Sequence, residues 1–328
     1  MPDMNTLDAV LSRDWIVACR SIDVADKPLQ VTIMGERIVL YRSTDGIRAF
    51  KDLCIHRGAA LSLGCVRDGH LVCPYHGWEY DASGSCVKIP QLPADQAIPA
   101  KARAISYSCM EQYGFIWVNL AGNEPELLPY PEFFQPGYRN VVWGPQEVNA
   151  NPPRIVENFL DVGHLAVVHE GYLGTSTHQE IGDYRVHLDE SGIRSDEIAI
   201  FQPDPDGSGQ AKYVYYTYEI LRPLTVRFTK RDRETDQRMS ILLTVRPVEE
   251  GHSVAYGILS FNYDTGTTDE EIIQFQDMIF AQDKPIVENQ KPEHLPLDLQ
   301  AELSLKIDRV SIAYRKYLAE LGVKLGTA

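Results

Sequence analysis

Cys54-Ile55-His56 and Cys73-Pro74-Tyr75-His76 are the two runs that decide how the first part of this chain is interpreted. They form two Cys/His pairs, C-x-H and C-x-x-H, with 16 residues between them. Because the spacing within each pair is short, both side chains of a pair can reach the same metal. Two thiolates and two imidazoles suit a tetrahedral zinc ion. They also suit a [2Fe–2S] cluster with both cysteines on one iron and both histidines on the other. Spacing alone leaves both groups open.

Short strands are predicted on both sides of these pairs. Residues 29–33 and 37–41 are β-branched or alternating runs joined by a hairpin turn, and further strands are predicted at 47–50 and 114–118. The one helix expected in this part is a short one near residues 5–11. The first part of the chain is therefore predicted to be a small β module.

The second part has a mixed pattern. A stretch containing Pro, Gly and Glu over residues 121–138 is typical of a linker. Beyond it, Asn151-Pro152-Pro153 predicts a helix start, and Thr268 with Glu271 forms a capping box for a helix running toward residue 290. Strands are predicted at 213–220, 224–229, 241–245 and 254–261, and a final helix at 299–321.

Strands followed by helices indicate an α+β domain with helices packed on an antiparallel sheet. We therefore predict two domains, an all-β metal-binding domain over residues 1–125 and a sheet-and-helix domain over 126–328. The short N-terminal helix is a candidate to pack on the second domain.

The charge balance bears on partners and location. Lys plus Arg number 31 and Asp plus Glu number 46, so the formal net charge is −15. Such a chain repels phosphate backbones and anionic lipid, which argues against nucleic-acid and membrane-surface binding. The N-terminus lacks a signal-peptide pattern and no apolar run reaches about 18 residues, so we expect a cytoplasmic protein. Its six cysteines are then not expected to form disulfides.

A second candidate metal site follows the linker. Residues 157–169 read Glu-Asn-Phe-Leu-Asp-Val-Gly-His-Leu-Ala-Val-Val-His, with His164 and His169 five positions apart. On a helix that loosens around Gly163, the two imidazoles can converge on one ion. Two imidazoles plus one carboxylate make the facial triad of non-haem Fe(II) oxygenases, which leaves positions open for O₂ and substrate.

The flanking residues of the Cys/His pairs resemble the cluster loops of Rieske non-haem iron oxygenases. The resemblance lies in the run from His56 to Ala59 and in Cys73-Pro74-Tyr75-His76-Gly77-Trp78-Glu79-Tyr80-Asp81. It implies an all-β Rieske domain in which Cys54, His56, Cys73 and His76 bind a [2Fe–2S] cluster. Cys65 and Cys86 match no ligand position and are expected to be structural thiols.

The same family resemblance extends to the second site, through the motif N-x-x-D-x-x-H-x-x-x-x-H. It implies a helix-grip-like catalytic domain in which His164 and His169 bind a mononuclear Fe(II). Asp161 would bridge toward a cluster histidine, His76, typically of a neighbouring subunit in a homotrimer. Asn158 occupies a position near the iron in this motif.

The carboxylate ligand is expected from the helix that follows Thr268. Asp283 resembles the family's D-x-x-(Ile/Val)-(Ile/Val)-E pattern and shares a helical face with Ile279, Ile286 and Val287. A carboxylate in that apolar stripe is costly to bury without a cation. Glu288 is the second candidate, whereas Asp277 lies on a more polar face where an exposed charge is expected.

No dinucleotide-binding fingerprint is present, so electrons are expected from a separate NAD(P)H-dependent reductase, directly or through a ferredoxin. The chain resembles the α-only group that hydroxylates or demethylates aromatic acids, of the vanillate demethylase and phthalate dioxygenase kind. The resemblance implies O₂-dependent hydroxylation or O- or N-demethylation of a small aromatic compound. The alternatives are ring cis-dihydroxylation, a pure electron carrier and a zinc-binding scaffold.

The substrate pocket is predicted between the strands at 213–228 and 241–261, which are rich in Tyr, Phe, Leu and Val. Arg222, Arg227 and Arg246 are candidates to pair with a substrate carboxylate, although arginines on strands are more often surface residues. The remaining histidines are expected in loops, turns or solvent-exposed positions.

Overall fold

The structure, a computed structural model, describes residues 7–93, 95–189 and 192–328. These residues form two compact units. The first reaches Leu127 and includes Pro247–Glu249, and the second comprises Leu128–Arg246 and Glu250–Ala328. The division into folding domains at residue 125 stays a prediction. No helix in the described part of the chain combines the length and apolarity needed to cross a membrane.

The first unit contains two antiparallel sheets. Its strands are β1 (Ile16–Arg20), β2 (Leu29–Ile33), β3 (Glu36–Ser43), β4 (Gly46–Lys51), β5 (Cys65–Arg67), β6 (His70–Val72), β7 (Glu79–Tyr80), β8 (Cys86–Lys88), β9 (Ser106–Gln112) and β10 (Phe115–Asn119). One sheet has the order β1-β10-β9-β4-β3-β2 and the other β5-β6-β7-β8. The predicted β module and its strands are therefore present.

The predicted turn between β2 and β3 places Met34 and Gly35 at positive φ, 50° and 78°. That combination is typical of the tight hairpin turns that match strand twist. The N-terminal helix predicted near residues 5–11 falls partly outside the described residues. In the part that is described, a 3₁₀ turn covers Leu11–Arg13 and no helix covers residues 7–10, so the helix prediction is wrong there.

The second unit is an eight-stranded sheet with helices. Its strands are β11 (Arg139–Val148), β12 (Val186–Asp189), β13 (Gly192–Ser195), β14 (Ile198–Gln202), β15 (Lys212–Arg222), β16 (Thr225–Arg231), β17 (Arg238–Glu249) and β18 (His252–Phe261). The order is β11-β18-β17-β16-β15-β13-β12, with β14 also paired to β15. The prediction of a sheet-and-helix unit is confirmed.

The described residues of this unit also form four α-helices: α1 (Pro152–Leu160), α2 (Leu165–Val168), α3 (Asp269–Val287) and α4 (Arg309–Leu321). The capping box at the start of α3 is formed as predicted, with Thr268 Oγ1 accepting from Glu271 N and Glu271 Oε2 from Thr268 N. The final helix begins at Arg309, ten residues later than the predicted start at residue 299. A 3₁₀ turn, Lys306–Asp308, precedes it.

Candidate metal centres and substrate cavity

The first Cys/His pair lies in a loop between β4 and β5 that is closed by its own backbone. Cys54 N donates to Ala59 O over 2.8 Å, and Gly58 N donates to Cys54 O over 2.9 Å. Gly58 has a φ of 72°, which a residue with a Cβ rarely adopts. The loop therefore folds back on Cys54 and carries His56 at its turn.

The second pair lies between β6 and β7 and repeats the same frame. Cys73 N donates to Trp78 O over 2.8 Å, and Gly77 N donates to Cys73 O over 3.1 Å. Gly77 also has a φ of 72°. In both loops, the glycine four residues after the cysteine closes the turn with a positive φ. The two loops are related by local structure although their Cys-to-His spacing differs by one residue.

The four side chains divide into a buried pair and a more accessible pair. The thiols of Cys54 and Cys73 are buried at 2% exposure in the core of the first unit, and burial raises the pKa of the Cys73 thiol. The ring centroids of His56 and His76 lie 4.5 Å apart, and His56 stacks on Trp78 at 4.6 Å. The structure therefore places all four predicted residues in two facing loops.

Several observations fit a binuclear cluster. His56 Nδ1 and Trp78 Nε1 are buried without a hydrogen-bond partner, and the Tyr80 hydroxyl lies 3.1 Å from Cys54 Sγ. Ligands of one tetrahedral zinc would lie within about 4 Å of one another. Among the described residues, three or more candidate ligand atoms lie within 4.8 Å of one another only in the second unit. The side chains of Cys54, His56, Cys73 and His76 are not packed closely enough to meet that limit. This spacing favours a two-iron cluster, with the cysteines on one iron and the histidines on the other, over a single zinc ion.

The second centre is built where the helix carrying it breaks. Helix α1 ends at Leu160, Asp161 is extended at ψ 112°, and His164 and His169 flank the single-turn helix α2. Gly163 N donates to Asp161 Oδ1 over 2.7 Å, which fixes the turn. The break is larger than the predicted loosening at Gly163, and it brings the two imidazoles together with ring centroids 5.1 Å apart.

Asp283 of α3 completes a triad with these histidines. Its Oδ1 lies 3.2 Å from His169 Nε2 and 3.5 Å from His164 Nε2. The three ligand atoms lie within 4.8 Å of one another. His169 and Asp283 are buried at 1% and 8% exposure. A buried carboxylate facing two imidazole nitrogens is the donor set expected for Fe(II), and the residues present fit that ion.

Neighbouring side chains orient the triad. His169 Nδ1 lies 2.7 Å from Gln282 Oε1, and Asn158 Nδ2 donates to Asp283 Oδ1 over 3.4 Å. Burial lowers the pKa of His169, but Asp283 and Gln282 outweigh it and the net shift is upward. His164 Nδ1 is buried without a hydrogen bond, 3.5 Å from Asp161 Oδ2. The sequence motif predicts Asn158 and Asp161 beside the triad, whereas no pattern in the sequence indicates the contact of Gln282 with His169.

The other acidic candidates on α3 have different contacts. Asp277 Oδ1 accepts from Trp143 Nε1 and Gln146 Nε2, each over 2.7 Å, so the expectation of an exposed charge is wrong. Glu288 Oε1 accepts from Asn149 N over 2.8 Å. Neither carboxylate belongs to the triad. The α3 face predicted to be an apolar stripe around Asp283 is only partly buried. Ile279 and Val287 are buried, but Ile286 is 46% exposed.

A cavity of about 500 Å³ adjoins the triad in the second unit. Its wall is largely aromatic and aliphatic, as predicted from the strands at 213–228 and 241–261. Phe228 of β16 and Phe159 of α1 stack at 5.1 Å within this wall. Polar groups on the wall include Asn158, Gln276 and Lys230. The cavity therefore offers a slot for a planar ring with few polar contacts.

The three candidate arginines are not part of this wall, so that prediction is wrong. Arg227 lies between the inward-facing Val226 and Phe228 and therefore points away from the cavity. Its guanidinium instead binds Glu132 at 2.9 Å and Glu219 at 2.6 Å. Among the described lining residues, Lys230 supplies the one ammonium or guanidinium group.

Two domain families match the sequence. The Rieske [2Fe-2S] domain matches residues 14–108, and the vanillate O-demethylase oxygenase C-terminal domain matches residues 148–324. The chain is 32% identical over 305 residues to methylxanthine N1-demethylase NdmA of Pseudomonas putida, covering 90% of this chain and 82% of that protein. It is 37% identical over 168 residues to the vanillate O-demethylase oxygenase subunit of Pseudomonas sp. (strain HR199 / DSM 7063), covering 49% and 45%.

The fold is also similar to that of a solved structure. The structure of Pseudomonas putida CBB5 NdmA with caffeine superposes with a TM-score of 0.81 at 28% identity. The match covers 95% of this chain and 91% of that one. Both units therefore have counterparts in one protein, in the same order along the chain.

Proposed function

The chain belongs to the Rieske oxygenases with a vanillate O-demethylase-type catalytic domain, and from this we propose which residues hold its metal groups. It is an oxidoreductase, a terminal oxygenase component that uses a Rieske [2Fe–2S] cluster and a non-haem iron. We propose that His164, His169 and Asp283 bind the iron. The proposed cluster ligands are Cys54, His56, Cys73 and His76.

The bound groups supply single electrons and O₂ activation, and the chain supplies binding and orientation. Gln282 fixes the His169 ring so that Nε2 faces Asp283. Asn158 holds the Asp283 carboxylate from the side of α1. The aromatic wall, including Phe159 and Phe228, binds the ring of a substrate and keeps water away from the triad.

The proposed reaction is O- or N-demethylation of a small planar aromatic compound. One atom of O₂ is inserted into a methyl C–H bond, and the other leaves as water with two electrons and two protons supplied from outside. The resulting hydroxymethyl group leaves as formaldehyde when the bond between its carbon and the ether oxygen or amine nitrogen breaks, and its hydroxyl proton passes to that oxygen or nitrogen. The observation that carries this proposal is the buried triad on the wall of the aromatic cavity.

Asp161 is proposed to connect the two kinds of centre. Its Oδ2 lies 3.5 Å from His164 Nδ1, and its side chain is 38% exposed. We propose that it bridges to the partner subunit's His76 in a homotrimer and so links the cluster of one subunit to the iron of the next. The electrons come from a separate reductase, which we propose to be NAD(P)H-dependent, acting directly or through a ferredoxin. The proposed location is the cytoplasm, where cysteines outside a disulfide, as all six are here, stay reduced.

Metal analysis and product analysis test the proposal. We expect about three irons and two acid-labile sulfides per chain, from one binuclear cluster and one mononuclear site. His164→Ala and Asp283→Ala should each leave about two irons and an intact cluster EPR signal. Glu288→Gln, which changes the other carboxylate considered as a ligand, should keep three irons. Loss of the third iron in Glu288→Gln but not in Asp283→Ala would contradict the ligand assignment.

Methoxylated and N-methylated aromatics with a surrogate reductase then test the reaction. Demethylation releases formaldehyde in a 1:1 ratio to substrate consumed. Ring cis-dihydroxylation would instead give a diol and no formaldehyde. A pure electron carrier would reduce and reoxidise its cluster equally well in His164→Ala and in the unmodified protein.

A further inference from the structure

The inner face of the sheet presents an ordered set of side chains to the cavity. Because side chains alternate between the two faces of a strand, residues two apart on β15, β16 and β17 line the same face. The strand register forms two adjacent rows of side chains on this face, each with one residue from each of the three strands. The two rows are Tyr218–Phe228–Ile241 and Tyr216–Lys230–Met239, and all six residues line the cavity.

The first row lies beside the proposed iron site. Phe228 stacks on Phe159, which follows Asn158, and Asn158 is hydrogen-bonded to Asp283. Lys230 is two residues further along β16, a step of about 7 Å. A substrate ring that lies over Phe228 with its methyl group near the triad therefore has its opposite end close to Lys230. This step is about the length of one six-membered ring with a substituent.

Lys230 has hydrogen-bonding capacity to spare. Its Nζ donates to Pro205 O over 2.8 Å, and its other two N–H groups have no partner among the described residues. Lys212, the neighbouring lysine, instead binds both Asp206 and Asp232 at 2.6 Å. Desolvation lowers the pKa of Lys230 to about 8. The structure therefore leaves a half-buried ammonium with spare N–H donors at this end of the cavity.

The charges around Lys230 decide which kind of acceptor suits it. Lys230 and Lys212 are surrounded by the carboxylates of Asp204, Asp206 and Asp232. Two lysines against three aspartates leave this end with one net negative charge. An anionic substrate group at Lys230 would therefore also face these carboxylates, whose repulsion opposes the attraction by Lys230. A neutral carbonyl oxygen accepts from Lys230 without that repulsion.

We propose that Lys230 is a specificity-determining residue that donates to a neutral carbonyl oxygen at the end of the substrate opposite its methyl group. This inference rests on the proposed demethylation, because it assumes that the methyl group faces the triad. It assigns the substrate class as planar methylated aromatics or heteroaromatics with a ring-borne or ring-attached carbonyl. Aromatic carboxylates are disfavoured.

Equilibrium binding to the resting holoenzyme tests the inference without turnover. The probes are three anisoles of similar shape: 4-methoxybenzamide, 4-methoxybenzoate and 4-isopropylanisole. We expect calorimetry to show weaker binding of the benzoate than of the benzamide. Lys230→Met should weaken benzamide binding by about tenfold or more, as expected for loss of a hydrogen bond from a charged donor, and leave 4-isopropylanisole unchanged or tighter. Lys230→Gln, which keeps a donor, should recover part of the benzamide affinity.

Lys212→Met is the matched control, because Lys212 lies outside the cavity wall and is already paired. It should leave the ratio of benzamide to 4-isopropylanisole affinity unchanged. Equal weakening of all three probes in Lys230→Met would mean that Lys230 only tethers Pro205, and would overturn the inference. So would tightest binding of the benzoate, or no binding of any probe. Failure to release formaldehyde with the binding differences intact would instead count against demethylation alone.

Discussion

Gln282 contacts His169 from the same turn of α3 that carries Asp283, so one helix turn supplies both a proposed iron ligand and the hydrogen-bond partner of another. With its amide oxygen facing Nδ1, the proton of the imidazole lies on Nδ1 and the Nε2 lone pair is free for a metal. Partners of this kind typically contribute 10–100-fold to metal affinity.

Gln282→Leu should therefore lower the affinity of the mononuclear site for Fe(II) by about 10–100-fold, since it leaves buried Nδ1 without an acceptor. Iron titration of the apo site measures this, and the visible spectrum of the cluster should not change. Gln282→Glu keeps an acceptor and should retain the iron. Gln300→Leu, at an exposed glutamine, is the control. Unchanged iron affinity in Gln282→Leu would rule out the orienting role.

Tyr80 provides a second residue-scale prediction. Its hydroxyl is 3.1 Å from Cys54 Sγ, and a donor to a cluster sulfur stabilises the reduced, more negative form. Tyr80→Phe should lower the reduction potential of the cluster by about 40 mV, the equivalent of about 1 kcal/mol for a one-electron couple. Protein-film voltammetry measures the potential. Tyr107→Phe, which removes a half-buried hydroxyl that donates to Glu36 instead, should leave the potential unchanged.

At this scale, residues that a motif marks could be predicted from the sequence, because metal chemistry demands their type and spacing. His164 and His169 are examples, and Asp283 follows from its pattern on a capped helix. Lys230 and Gln282 could not be predicted in the same way. Their roles depend on strand register and on contacts with side chains over 100 residues away, as between Gln282 and His169.

At the scale of elements, a buried ion-pair network joins α1 to α4. Arg315 of α4 forms ion pairs with Glu157, at 2.5 Å, and with Glu302. Arg154 of α1 forms ion pairs with the same two carboxylates. Burial raises the pKa of Glu157, and Arg315 opposes this shift. Because Glu157 precedes Asn158, the network also holds the end of α1 beside the triad.

Arg315→Met should lower the free energy of unfolding by about 3 kcal/mol, because it leaves buried Glu157 short of a partner. Urea unfolding followed by circular dichroism measures the change. The double variant Glu157→Met/Arg315→Met should recover most of the loss, since no unpaired charge then remains. Lys316→Met, one residue further and exposed, should have little effect. A double variant as unstable as the single one would contradict this account.

The loop between β14 and β15 gives a pH-dependent prediction. The Lys212 ammonium lowers the pKa of Asp206 to about 2, from a usual value of 3.8. A carboxyl with a lowered folded-state pKa stabilises the fold above its unfolded pKa and loses this contribution as the pH falls toward 2. The contribution at pH 6 is about 1–2 kcal/mol, allowing for partial exposure.

Asp206→Asn should therefore be less stable than the unmodified protein by about 1–2 kcal/mol at pH 6. The gap should narrow to about half by pH 3. Unfolding free energies at several pH values test this. Asp264→Asn is the control, because among the described residues the Asp264 carboxylate accepts only from Gly266 N. A gap that does not change with pH would mean that charge pairing with Lys212 is not the cause.

The elements themselves could be predicted where local signals agree, as for α3 with its capping box. The helix predicted from residue 299 failed because the apolar spacing there does not reflect burial. Leu303 and Leu305 are 90% and 57% exposed, and Glu302 is held by the arginines of the network instead. A 3₁₀ turn capped by Leu305 and ending at Asp308 follows, and α4 begins only at Arg309. A long-range ion pair overrides the local pattern in this segment.

At the scale of the whole molecule, the proposed homotrimer makes a prediction about shared function. Closed rings of identical subunits repeat one interface, so each iron would be served by a neighbour's cluster. Co-expression of a chain carrying Cys73→Ser with a chain carrying His164→Ala should therefore restore part of the demethylation activity. Each variant alone should be inactive. The same two variants purified separately and mixed without subunit exchange are the control. No recovery in co-expressed mixed oligomers would mean that electrons do not pass between subunits.

The two cysteine loops have one more consequence, which concerns how such a protein diversifies. Each loop is closed by backbone hydrogen bonds between the cysteine and the residues four and five positions on, so its shape does not depend on most intervening side chains. Ile55 and Tyr75 lie inside these frames and are 50% and 66% exposed. A substitution at either position leaves the closing backbone hydrogen bonds in place, whereas each glycine is needed for its positive φ. The exposed surface of the two loops can therefore vary in side chain while the backbone frame that carries the proposed cluster ligands is kept.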